Sequence, residues 1–375
     1  MSLPTTMKSL AAPTYGPPDV WEVIEVPVPE LKNPDELLLR MHAAAIGPGD
    51  CGLVSGRLKS QVPIMSWPSK IAHEGAGVVV AIGSAVTAFK PGDAVYGYNM
   101  KHPILPVSRP GFCSEYAIAN ESLLLRKPAH ISFEEAAALP GHVVTALQAI
   151  RCGMMLNPAA FLQDPVKGEL CLRGKRVFVN AGLGAATSVA AQVAKNVFGA
   201  AEVVTTVSTG KMALVEKELP GVYDRVVNYE TAADEIGELG RGQVDFFINA
   251  RMDVKRYLPV MEPKNGVVAS IRGIPSSTAW KSLLGSVSLW VGWMLDLSRL
   301  WYKWLLLGTN VKLDVIQGNF GIREDVDEAG RIIEQQLVKA VVTVVPLDDV
   351  DSIRQKAKNV VAGKGNVGKV VVKII

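Results

Sequence analysis

The chain has 375 residues, 49% of them apolar and 20% charged, with a formal net charge of +3. That is enough for two domains and a substantial core, and the small charge with no basic cluster excludes nucleic-acid binding. The four cysteines, Cys51, Cys113, Cys152 and Cys171, show no CxxC spacing, which argues against a structural zinc lobe or a disulfide framework and for a reducing, cytoplasmic setting. Met1 to Pro17 contains no long apolar run, so no secretory leader is expected.

In chain order, residues 1–140 read as β-rich. Glu36 to Ala44 and Gly75 to Gly83 are strand-like, separated by turns such as Gly47-Pro48-Gly49. Lys90 to Tyr98 reads as a turn entering another strand. Ser132-Phe133-Glu134-Glu135 has the pattern of a capping box, with Ser132 as N-cap and Glu135 reaching back. A helix is expected over 142–151.

The middle alternates strand and helix: strand 176–180, helix 188–198, strand 202–207, helix 211–219, strand 225–228, strand 244–248, helix 253–261, strand 266–271. That rhythm predicts an α/β domain with a parallel sheet and right-handed crossovers. Helices over 324–338 and 350–362 and a strand over 369–375 close the chain. The last strand is expected to rejoin the first domain.

Chemistry concentrates at Ala181-Gly182-Leu183-Gly184-Ala185-Ala186-Thr187. An apolar strand precedes it and a helix follows, which makes a seat for a diphosphate. Gly182 permits the tight turn, Gly184 lets backbone approach, and the amides of Ala185, Ala186 and Thr187 add the positive end of the helix. Thr187 stands where a third glycine or alanine is expected, and its branched side chain should push helix and strand slightly apart. The next strand ends in Ser208-Thr209-Gly210-Lys211 with no acid. Ser208 and Lys211 suit a 2′-phosphate, which favours NADPH over NADH; the plain alternative for Lys211 is a solvated surface lysine.

A series of short motifs then carries a resemblance. Tyr15-Gly16-Pro17-Pro18, His73-Glu74-Gly75-Ala76-Gly77-Val78-Val79, Phe89-Lys90-Pro91-Gly92-Asp93, Gly111-Phe112-Cys113-Ser114-Glu115-Tyr116, Ala136-Ala137-Ala138-Leu139-Pro140 and Gly368-Lys369-Val370-Val371 occur in that order. Together they resemble the medium-chain dehydrogenases/reductases, in their zinc-free quinone-oxidoreductase and enoyl-reductase branch. The resemblance implies a GroES-like β domain (1–138 and 321–375) interrupted by a Rossmann doubly wound domain (139–320). It implies NADPH, a hydrophobic substrate with a polarised C=C bond or a quinone, and a homodimer. It also implies catalytic candidates Asp50, His73 and Tyr98, and adds Tyr229, Asn249 and Lys369 to the cofactor-binding set. Each catalytic candidate has a structural reading too: Asp50 as a turn cap, His73 in a strand, Tyr98 in a core.

Departures from the family pattern matter. The cysteine ligand of zinc-dependent relatives falls on Gly47, leaving His73 alone in a ligand position; catalytic zinc needs three protein ligands, so no metal is expected. Arg251 replaces a small residue after Asn249-Ala250. These changes, with Thr187, keep a non-redox descendant of the fold (an isomerase, cyclase or binding protein) as the alternative.

Trp280 to Gly308 holds five of the seven tryptophans. No uncharged run there reaches the length that spans a bilayer. A lid over a greasy substrate is favoured, with a subunit interface and a peripheral membrane contact as the other readings.

Overall fold

The computed structural model describes residues 3–57, 59–64, 66–100, 104 and 111–375. The chain divides into two compact units, Met1–Gly141 with Val342–Ile375, and His142–Val341.

The first unit is built on a seven-stranded sheet. Its order runs Val342–Pro346, Lys369–Lys373, Glu36–Ile46, Glu74–Ile82, Ala94–Tyr98 and Leu124–Arg126, and Tyr116–Asn120 also pairs with Glu36–Ile46. The long strand Glu36–Ile46 has nine buried positions in eleven, as expected of a strand covered on both faces. The C-terminal strand returns to it antiparallel, with Val370 opposite Ile46. That register brings Lys369 beside Gly47. Leu10, Trp21, Leu37, Met41 and Phe112 form the sealed centre. The helix Phe133–Ala138 begins with the expected box: Glu135 N–H donates to Ser132 Oγ at 3.1 Å, and Ser132 N–H donates to Glu135 Oε2 at 2.8 Å.

The second unit carries a six-stranded sheet, all parallel, in the order Arg225–Asn228, Glu202–Val207, Arg176–Val179, Phe246–Asn249, Val267–Ser270, Lys312–Val315. Numbered along the chain this is 3-2-1-4-5-6, the doubly wound order with its reversal beside the first strand. The apolar strands Arg176–Val179 and Phe246–Asn249 are nearly sealed, as central parallel strands must be. Phe178 stacks on Phe247 beneath Tyr257.

The second crossing between units falls at residue 342, not at 321 as the sequence suggested. The helix Arg323–Glu334 is tied to the second unit by charge. Arg151 holds Asp325 at 3.2 Å and Glu328 at 2.8 Å, and Gln148 Nε2 donates to Asp325 at 2.7 Å. The first crossing, after Gly141, lies three residues past the expected one.

Candidate functional site

In the second unit the glycine turn sits at the carboxyl end of Arg176–Val179, beside the sheet's reversal point. Ala181 is in the left-handed region (φ 59°). Gly182 N–H donates to Thr206 O at 3.2 Å, and Gly184 N–H donates to Ala181 O at 2.7 Å. A Cβ on Gly182 would overlap the Thr205 side chain, so glycine is required by the close approach of the neighbouring strand. The helix that follows spans Ala185–Asn196, three residues longer at its start than expected, and Gly184 gives it no side-chain cap. The first amides of a helix have no intrahelical partner. Those of Ala185, Ala186 and Thr187 therefore present donors and the positive helix end to an anion.

Thr187 has a further part that the sequence reading did not give it. Its side chain is buried over Gly184, where any Cβ would come within 2.6 Å of Thr187 Oγ1, and that hydroxyl donates to Ala181 O at 2.6 Å. The missing side chain at Gly184 makes the room, and the threonine locks the turn from inside. Tyr223, unnoticed in the sequence, donates its hydroxyl to Gly182 O at 2.6 Å, and burial pushes its phenol well up.

At the end of Glu202–Val207, Ser208 precedes the short turn Thr209–Lys211. Burial, with Arg251 beside it, pushes the Lys211 ammonium below its usual value. Arg251 is thus the second cation at this corner, and its Nε lies 3.4 Å from Asp253. The strand end itself carries no acid, but one reaches it from elsewhere. Glu230, from the segment after the adjacent strand, accepts the Thr209 N–H at 2.9 Å. Tyr229 is partly exposed next to it.

Asn249 is sealed. Its Nδ2 donates to Arg251 O at 2.6 Å and to Ser270 Oγ at 2.8 Å, and its Oδ1 accepts from Asn180 at 2.8 Å. The side chain is spent on shaping the strand ends, so the cofactor contact expected of it is reassigned to positioning. Asn180 extends the network, donating to Asp253 at 3.1 Å and accepting the Ala250 N–H at 2.9 Å.

The first unit holds a compact charged cluster. Asp50 lies in the helix Pro48–Val54 and accepts the Gly47 N–H at 2.7 Å. Its other oxygen takes both the main-chain N–H of His73, at 3.0 Å, and Nδ1 of His73, at 2.8 Å. Lys369 Nζ stands 3.3 Å from Glu74 Oε2. Burial works to raise the Asp50 carboxyl, but His73, Lys369 and the Gly47 N–H outweigh it and hold it below the ordinary carboxylate value. Glu74 goes the other way: burial pushes it up in spite of Lys369.

Asp50 and His73, both named from the sequence, are therefore in direct contact. Tyr98 is opposite Glu74 on the neighbouring strand and buried. A Cβ on Gly141 would overlap Glu74 Oε1 and lie 2.6 Å from the Tyr98 hydroxyl. Tyr98 so belongs to the packing around Glu74. Lys369, assigned from the sequence to the cofactor, is only 5% exposed and grouped with Asp50 and Glu74. Glu74 was missed, although it follows His73 directly.

A zinc ion fits this cluster poorly. A Cβ at Gly47 would meet Lys369 Nζ at 3.1 Å, so an ammonium fills the space a cysteine ligand would need. Cys51 packs into the core, with its Sγ 3.9 Å from Ala357 O, and burial pushes its thiol up to about 12. Among the described residues no group of three or more His, Cys, Asp or Glu side chains is arranged to hold a metal ion.

Residues 33–129 match the alcohol dehydrogenase GroES-like domain. The quinone oxidoreductase from Coxiella burnetii superposes over 99% of this chain and 100% of its own, with a TM-score of 0.71 at 22% identity. The match and the superposition give the fold: a GroES-like domain of the alcohol dehydrogenase kind, in a chain folded like that quinone oxidoreductase. Among curated relatives, 2-methylene-furan-3-one reductase of Solanum lycopersicum is 35% identical over 218 residues, 58% of this chain and 51% of the relative. The chloroplastic NADPH-dependent alkenal/one oxidoreductase of Arabidopsis thaliana is 34% identical over 216 residues, 57% of this chain and 51% of the relative. The chain thus spans about half the length of the curated relatives it matches.

Proposed function

We propose that this chain is a medium-chain dehydrogenase/reductase, an NADPH-dependent reductase of polarised C=C bonds or quinones in hydrophobic substrates, working without zinc. The observation that carries the reading is the uncapped helix start behind the glycine turn, with Lys211 and Arg251 together at the end of the next strand. The likeness to 2-methylene-furan-3-one reductase and to NADPH-dependent alkenal/one oxidoreductase supports it.

The residues present suit the dinucleotide. The amides of Ala185, Ala186 and Thr187 would hold the diphosphate, and Ser208, Lys211 and Arg251 the 2′-phosphate, with Tyr229 at the same corner. When bound, NADPH supplies the hydride that adds to the β-carbon of an enone or to a quinone. The chain's own work is then orientation and exclusion of water, which such reductions mainly need. Asp50 fixes the ring of His73 by holding Nδ1, which leaves Nε2 as the ring atom able to exchange a proton. The Lys369 ammonium keeps two buried carboxylates, Asp50 and Glu74, compatible within one small volume.

The chain's compartment is proposed as cytoplasmic, with a plastid as the alternative that the chloroplastic relatives introduce. Among the described residues no helix is long and apolar enough to cross a membrane. A homodimer is proposed through the edge strand Lys312–Val315, the last strand of its sheet. The test of the function is loss of NADPH absorbance with a panel of enones and quinones. Saturable turnover with NADPH in preference to NADH is expected; no nucleotide binding at millimolar concentration would reject the reading and favour a non-redox descendant.

A further inference from the structure

The tryptophan-rich segment forms two short helices, Leu289–Ser298 and Leu300–Leu305. Their apolar side chains are turned outward. Trp290 is 64% exposed, Trp293 78%, Leu297 67%, and Trp301 and Trp304 each 54%. The spacing is three or four residues throughout, so these side chains make one continuous stripe. Trp301 and Trp304 stack within it, with ring centroids 4.8 Å apart.

Loose packing does not explain the exposure. The inner side of the segment is firmly anchored. Asp296 accepts the Ser277 N–H at 2.9 Å and its hydroxyl at 2.6 Å. Tyr302 accepts the Ile274 N–H at 2.9 Å, and Arg299 is paired with Asp314. Val291 and Gly292 are buried. The helices are held in place with their greasiest face in water.

Charge identifies the occupant. From Glu262 to Asp314 the sequence has six cations, Lys264, Arg272, Lys281, Arg299, Lys303 and Lys312, and three acids, Glu262, Asp296 and Asp314. Asp296 is taken by Ser277, Asp314 by Arg299, and Glu262 by the main-chain N–H groups of Lys264 and Asn265. Lys303 is exposed beside the stripe, and Lys255 Nζ is 5.9 Å from the Trp304 ring. A second copy of this chain docked face to face would bring one lysine-rich surface onto another. A substrate lid would turn its tryptophans inward. Indole rings flanked by lysines suit the headgroup layer of an anionic bilayer, where an apolar face and basic residues act as two independent signals.

We propose that the 289–307 face docks on an anionic phospholipid membrane, the two helices lying in the headgroup plane with Trp290, Trp293, Trp301 and Trp304 inserted. Helices of ten and six residues are too short to span, so the attachment is peripheral and reversible. The inference is independent of the reductase reading.

The test is sedimentation of the full chain with vesicles of phosphatidylcholine alone or mixed with phosphatidylglycerol, together with tryptophan emission. The expected result is binding to the mixed vesicles, a blue shift, and release by salt. Trp293→Glu with Trp301→Glu should weaken binding roughly tenfold or more, and Lys303→Ala about fivefold. If the double variant fails to fold, Trp293→Ser and Leu297→Ser on the same face carry the same test. Absence of binding to both vesicles overturns the proposal. So does unaltered binding by the folded variants, or a dimer that Trp293→Glu dissociates while vesicles capture nothing.

Discussion

One carboxylate oxygen of Asp50 accepts twice from His73, from the main-chain N–H at 3.0 Å and from Nδ1 at 2.8 Å. Ring and backbone are so fixed by a single atom. Asp50→Asn removes the charge and leaves one amide oxygen to serve both His73 and the Gly47 N–H. A loss of about 1.5–3 kcal/mol is expected, the usual worth of hydrogen bonds to a charged group. The sign with pH is checkable. The folded-state pKa of Asp50 is depressed, so its contribution is present above the unfolded carboxylate value, about 3.9, and is lost as pH falls through the lower folded value. Urea unfolding from neutral to acid pH should show the wild type losing this increment and Asp50→Asn lacking it throughout.

Lys369 opposes two buried carboxylates, and its loss should be felt most at neutral pH. Lys369→Met leaves Glu74 and Asp50 without their cation, at a cost of about 3–5 kcal/mol. The pKa of Glu74 is already raised by burial. Its contribution is complete below the unfolded value, about 4.3, and is lost as pH rises through the folded one. Without Lys369 that folded value climbs further. The variant's deficit, read as the difference in Tm from wild type, should therefore be larger at about pH 7.5 than at about pH 5.

Two glycines separate space from backbone freedom. A methyl group at Gly141 would overlap Glu74 and crowd the Tyr98 hydroxyl, whereas one at Gly49 meets nothing within 4 Å. Gly141→Ala should cost about 1–3 kcal/mol by overpacking, and Gly49→Ala should leave the denaturation midpoint nearly unchanged. Equal effects would contradict the packing described around Glu74.

Much of this molecule was legible because its signals are local. The glycine turn, the Ser132–Glu135 box and the alternation of strand and helix each lie within a few residues. The Asp50 cluster was not readable as a cluster. Asp50, His73 and Lys369 were all named, yet Lys369 joins the others only through the register that sets Val370 against Ile46. Glu230 reaches the Thr209 turn, and Tyr223 reaches Gly182, from a neighbouring strand and its approach, contacts for which sequence spacing carries no sign. The boundary at 321 failed for the same reason, because three side-chain contacts from Arg151 and Gln148 decide where Arg323–Glu334 packs. The part Thr187 plays was not readable because its hydroxyl reaches back six residues to the Ala181 carbonyl across a fold of the turn.

The lock inside the turn separates a hydroxyl from its bulk. Thr187→Val keeps the shape but leaves the Ala181 carbonyl without the donor now 2.6 Å away. That carbonyl keeps the Gly184 N–H at 2.7 Å, so the cost is that of one hydrogen bond, about 0.5–1.5 kcal/mol, and Thr187→Ser should recover most of it. Thermal melts of the three proteins decide the matter: a valine variant as stable as wild type would show that the side chain serves by volume alone.

Nucleotide preference tests the corner at Lys211. Arg251 is close enough to Lys211 to lower its affinity for a proton, so two cations stand at one corner. Lys211→Ala and Arg251→Ala should each weaken NADPH binding by roughly tenfold to a hundredfold, the worth of one charge-assisted hydrogen bond. NADH, which lacks the 2′-phosphate, should be unaffected. Both residues are partly exposed, so each single variant should melt within a few degrees of wild type when no nucleotide is bound. Titration with both nucleotides, followed by tryptophan emission, measures the first effect and melting without ligand the second. A parallel loss for NADH and NADPH would mean that these cations do not meet the 2′-phosphate, and the assignment of this corner would fail while the diphosphate seat at Gly182–Thr187 stood untouched.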